Sequence, residues 1–137
     1  MDPFRLGGLP RLVATLALLF PQIGEATVPA EGLVALSIRL SNTGPERMEC
    51  AAEIAHWFSA DLGEAAPGAT LALDLWHEPA TGVHATRNVH GEFLPVERVW
   101  CGLAGRAFAT RWTLPLHPDG RDAALDCAPE AGRLSCR

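Results

Sequence analysis

The sequence predicts an all-β fold, a single antiparallel sandwich of about seven strands that follows an N-terminal signal segment. Three observations predict it. Apolar and polar residues alternate in short runs, clusters of Gly, Pro and Asn separate those runs, and four cysteines sit in the same part of the chain. With 137 residues, 48% of them hydrophobic and 20% charged, the chain is long enough for one domain with a core and is globular in composition.

The signal segment comes first. Arg5 and Arg11 precede an uncharged apolar run, Leu12 to Phe20; Pro21 breaks that run, and Gly24 and Ala26 supply small residues beyond it. These are the three regions of a secretory signal with cleavage after Ala26, which divides the chain into a signal peptide, 1–26, and a mature domain, 27–137. The apolar run is well short of the ~20 residues that span a bilayer, so no integral membrane segment is expected after cleavage. The expected location is periplasmic or secreted.

In the mature part, Val34, Leu36, Ile38 and Leu40 fall on one face of a strand over Leu33–Leu40, with Ala35, Ser37 and Arg39 on the other. Ser41 to Pro45 is a turn cluster. Pro45 to Gly63 reads either as a helix or as a strand, and the strand is preferred because Met48, Cys50, Ala52, Ile54, His56 and Phe58 then share one face. Leu71, Leu73 and Leu75 alternate through the next strand, Thr70–Trp76. Val83–Arg87, Phe93–Cys101 and Arg106–Leu114 follow as further strands, the last with Phe108, Thr110, Trp112 and Leu114 on one face.

The phrase LVALSIRLSNTG, followed by an apolar strand and then APGATLALDL, resembles the early strands of bacterial immunoglobulin-like sandwich domains. The resemblance covers Leu33 to Leu75, about a third of the chain, and rests on turn chemistry. It implies a fold and no functional site, because this architecture carries many unrelated functions.

Cys50, Cys101, Cys127 and Cys136 all lie in the mature part, and an even count in an exported chain implies two disulfides. Of the three connectivities, Cys50–Cys101 with Cys127–Cys136 is favoured, because the second bond staples a C-terminal tail, Asp119–Arg137, around a turn at Pro129–Gly132.

A net charge of −5 without a single lysine offers no electrostatic footprint for nucleic acid. No serine lies in a nucleophile elbow, no glycine loop opens a phosphate site, and bridged cysteines leave no thiolate to attack. Glu49 and Glu53 share a strand face ~13 Å apart, too far for a glycosidase pair. No catalytic residue and no cofactor are therefore expected. Trp57 and Trp76 fall on faces opposite the apolar one and form a candidate binding patch, since tryptophan is a favoured interface anchor. His56 and His77, near strand ends, are the candidate ligands of a copper or zinc site, with His84 and His90 as further donors. The expected role is a non-catalytic envelope or secreted protein that binds another protein or an envelope component; the alternative is a periplasmic metal-handling protein.

Overall fold

The structure, a computed structural model, describes residues 26–54 and 58–137. Residues 1–25 of the signal segment therefore lie outside the described residues, as do His56 and Trp57. The described chain is all β, and no helix in it is long and apolar enough to cross a membrane.

Among the described residues, eleven strands form two sheets: β1 (Val34–Leu36), β2 (Ile38–Asn42), β3 (Met48–Ile54), β4 (Phe58–Ala65), β5 (Thr70–Ala72), β6 (Leu75–His77), β7 (His84–Arg87), β8 (Phe93–Leu103), β9 (Trp112–Leu114), β10 (Ala123–Glu130) and β11 (Arg133–Cys136). The larger sheet runs β1-β6-β7-β8-β3-β4, and β9 pairs with the far half of β8. The smaller runs β11-β10-β2-β5. This corrects the expectation of about seven strands, all antiparallel: β10 lies parallel to β2, with Ala123 opposite Ile38 and Cys127 opposite Asn42.

Both sheets turn one face to a common core. Ile38, Leu40 and Leu134 from the smaller sheet meet Met48, Ala52, Leu75, Leu94, Val99 and Leu103 from the larger, all buried. Alternation explains the choice. Along β3, Met48, Cys50, Ala52 and Ile54 are buried while Glu49, Ala51 and Glu53 are half-buried on the other face. The disulfides follow the same pairing. Cys50 is opposite Cys101 across β3 and β8, and Cys127 is opposite Cys136 across β10 and β11; each pair is bonded.

Three sequence expectations need revision. The strand over Leu33–Leu40 is two strands: after Ser37 the chain leaves the larger sheet and enters the smaller, so Val34 is exposed whereas Ile38 and Leu40 are core. The Ser37 amide donates to Asp122 Oδ1 at this crossing (2.8 Å). Pro45–Gly63 is neither a helix nor one strand; it contains β3 and runs on into β4, which folds back on it, and Phe58 is accordingly exposed instead of buried. The third revision concerns Arg106–Leu114. Only Trp112–Leu114 is strand, and the segment before it is a turn that folds over β8.

That turn depends on Gly102. A Cβ there would sit 1.9 Å from the Ala107 carbonyl oxygen, so no larger residue fits under the turn. Thr110, buried, closes it: its hydroxyl accepts the Leu103 amide (2.9 Å) and donates to the Arg106 carbonyl (2.9 Å).

The C-terminal residues are not an appended tail. β10 is an interior strand of the smaller sheet, and without it β2 would keep only the three-residue β5 as a partner. At the hairpin tip Ala131 and Gly132 both have positive φ (52° and 78°), the geometry of a tight two-residue connection.

Candidate functional site

The face of the larger sheet turned away from the core carries the chemistry. Two aromatic pairs stand on it. Trp76 on β6 meets Phe93 edge to face (centroids 5.2 Å, 73°), and Trp100 on β8 meets Phe108 of the turn in the same way (5.7 Å, 81°). Edge-to-face contact is the favoured arrangement for such rings.

The Trp76 pair is complete in itself. The indole N–H donates to Asp74 Oδ1 (3.0 Å), and the Arg87 guanidinium lies 5.3 Å from the ring centroid. Arg87 also donates to both Asp74 oxygens (2.9–3.2 Å). Burial alone raises the Asp74 carboxyl, but the hydrogen bonds from Arg87 and Trp76 outweigh it, so the group titrates below the ordinary carboxylate range.

The Trp100 pair is surrounded differently. Ala51 is the register partner of both Trp100 and Asp61, and one step along β3 Glu49 is opposite Glu64 on β4. The small Ala51 leaves a depression of about 410 Å³, with Trp100 on one side and the Glu49, Asp61 and Glu64 carboxylates around the rest. Like charges directly opposite across a strand pair are destabilising. Only Glu64 has a partner cation, Arg47 at 3.2 Å; Asp61 accepts the Gly63 amide (2.8 Å), and Glu49 makes no ion pair among the described residues. The Trp100 indole N–H is buried without a hydrogen-bond partner among the described residues. Arg111 lies over the ring of Phe108 (4.0 Å) and donates to the Phe108 carbonyl (2.8 Å), so it is held on the Phe108 side.

The residues singled out from the sequence are placed as follows. Trp76 is half-buried in the closed cluster just described, and Trp57 lies outside the described residues. β6 and β4 are not neighbours, because β7, β8 and β3 stand between them. Sequence reasoning missed Trp100, Phe108 and the three carboxylates as a group. The missing information was the pairing itself: β4 lies antiparallel to β3, which sets Glu49 opposite Glu64, and no Gly, Pro or Asn separates the two runs in the sequence.

His77 and His84 are both buried and register partners on β6 and β7, with ring centroids 5.3 Å apart. His77 Nε2 lies 2.7 Å from the Pro118 carbonyl, an acceptor, so that nitrogen carries the proton. Burial and the neighbouring His77 push the His84 pKa below its ordinary value. His90 is exposed in a loop, and His56 lies outside the described residues. Among the described residues, no three His, Cys, Asp or Glu side chains are placed to hold one metal ion.

No protein-family model matches the chain, and neither a curated protein nor a solved structure is significantly similar to it.

Proposed function

We propose that this chain is an exported, non-catalytic β-sandwich protein of the cell envelope or its surroundings that binds another protein or an envelope component. The observation that carries this reading is the outer face of the larger sheet: Phe108 is 59% exposed, Trp100 stands beside it, and the Glu49, Asp61 and Glu64 carboxylates, of which only Glu64 has an ion-pair partner among the described residues, border them. An exposed aromatic group rimmed by charge is the usual composition of a recognition surface. Two disulfides support export, since such bonds persist in oxidising compartments.

Intact mass spectrometry of protein expressed with its own N-terminus tests the compartment. The expected product begins at Thr27 and is four hydrogens lighter than its reduced form. A full-length product with free thiols would overturn the reading. Affinity capture from the exported fraction tests the binding role, and loss of the captured protein on Phe108→Ser is the expected result. A stoichiometric ion in native-mode spectra of untagged protein, lost on His77→Ala, would instead favour the metal-handling role.

A further inference from the structure

The Trp76 cluster shows what the Trp100 cluster lacks. At Trp76 a guanidinium lies over the indole and is chelated by a carboxylate, all from this chain. At Trp100 the indole and the carboxylates are present, but Arg47, beside Glu64, is the one cation paired with Glu49, Asp61 or Glu64 among the described residues. The Glu49–Glu64 register sets two like charges opposite each other with Arg47 beside one of them, an arrangement that a further bound cation would favour.

The size of the missing cation is constrained. The carboxylates do not converge on a metal ion among the described residues. The depression, about 410 Å³, has room for a side-chain head group and its stem. Indole faces attract guanidinium and ammonium groups, and carboxylates hydrogen-bond to both.

Beside the depression, β4 is the outermost strand of its sheet, and no described strand pairs with its second edge. Leu71 of β5 approaches Gly63 near one end, whereas Phe58, Ser59 and Asp61 are exposed. An unpaired edge of this kind accepts an extended segment through main-chain hydrogen bonds. A second copy of β4 is a poor occupant, since it would bring Asp61 and Glu64 against their own counterparts.

We infer that the depression beside Trp100 seats the guanidinium or ammonium group of an arginine or lysine side chain, carried by an extended segment of a partner protein that lies along the open edge of β4. This rests on the reading of the chain as a binding protein and names the chemistry of what it binds.

The test uses the disulfide-bonded protein and a fluorescent, end-blocked octapeptide of alternating threonine and arginine, read by anisotropy. The arginine peptide binds, and affinity falls with salt. Replacing arginine by citrulline, which keeps the shape and removes the charge, weakens binding at least tenfold. The E49Q/E64Q double variant also loses at least tenfold, yet unfolds at no lower temperature than the parent, because the like-charge contact is gone. D74N, at the other cluster, binds as the parent does.

Equal binding of the citrulline peptide, unchanged binding by E49Q/E64Q, or no binding at 1 mM peptide (roughly −4 kcal/mol) would each overturn the inference. Spermidine binding as tightly as the peptide would replace the partner segment with a free small cation. Capture from the exported fraction separates this inference from the broader reading. A partner retained equally by parent and E49Q/E64Q leaves the binding role standing and removes this site. A peptide that binds as expected, with no partner captured, keeps the site and removes the broader role.

Discussion

The two tryptophan clusters on the larger sheet are built from the same kinds of part, an indole, a phenyl ring and carboxylates, and differ in how those parts are satisfied. Trp76 has its indole N–H bonded, its ring covered by Arg87 and its neighbouring carboxylate chelated. Trp100 has an unbonded indole N–H and a border of carboxylates with a single arginine among them. The first is satisfied by local residues, since Asp74, Trp76 and Arg87 come from β6, the residue before it and its partner β7. The second is assembled from β3, β4, β8 and the turn after β8. A cluster drawn from four segments is free to leave a vacancy that a local cluster fills from its own strand pair.

The largest expected effect on this comparison comes from the disulfides. Cys50–Cys101 lies under the Trp100 cluster and closes a loop of 51 residues that contains the Trp76 cluster too; Cys127–Cys136 closes one of 9. Chain-entropy arithmetic gives about 4 kcal/mol for the first and about 2.6 kcal/mol for the second. Urea denaturation of the C50A/C101A and C127A/C136A variants should show that order. The reverse order would mean that the hairpin staple, not the central bond, holds the sandwich together.

Next is Gly102→Ala, which forces the turn bearing Phe108 off β8 and is expected to cost about 3 kcal/mol. Near-ultraviolet circular dichroism should lose the Trp100 signal while Trp76 keeps its environment. If both signals vanish together, the two clusters are one cooperative unit.

Smaller is the acid sensitivity next to Trp76. His84 has a lowered folded pKa, so its contribution is intact above the unfolded value of about 6.5 and is lost as pH falls through that value to the folded one. Denaturation midpoints measured from pH 7.5 to 5 should decline, and His84→Gln should flatten the decline. A parallel decline in the variant would assign the acid sensitivity to other groups.

The smallest effect is at the satisfied pair. Arg87→Met should change the denaturation midpoint least of the four, because both partners are substantially exposed. It should also raise the Asp74 pKa, which a carboxylate-resolved NMR titration would detect. An unmoved Asp74 would mean that the Trp76 indole and the backbone amide of residue 87 hold it without the guanidinium.

What was legible in the sequence was the local period. Met48–Ile54 alternates, and the structure buries the residues that alternation selects. What was not legible was which strand each run pairs with. Val34 and Leu40 belong to one alternating run, yet they end in different sheets because Ser37 breaks the ladder and bonds to Asp122, 85 residues away. Nothing near Ser37 announces a partner so distant. The same holds for the candidate site. Glu49 was visible as one end of a solvated strand face, but its opposition to Glu64 exists only once β4 pairs with β3, and no Gly, Pro or Asn in the sequence separates the two runs. In the other direction, Arg106–Leu114 alternates well enough to read as a strand. Its first half becomes a turn because Gly102 lets that segment lie on β8, a tertiary reason that no periodicity reports.

The parallel docking of β10 on β2 has a consequence for how the molecule is made. Ribosomes deliver β2 before, and β10 only after, nearly every strand of the larger sheet, so the nascent chain must keep the flank of β2 vacant through all that intervening synthesis. Long-range closure of this type is slow and leaves an unpaired strand open to mispairing while it waits. A chain stopped before Ala123 would hold every described strand of the larger sheet and only the β2–β5 ladder of the smaller. Such a fragment is a substrate for quality control and not a smaller version of the protein.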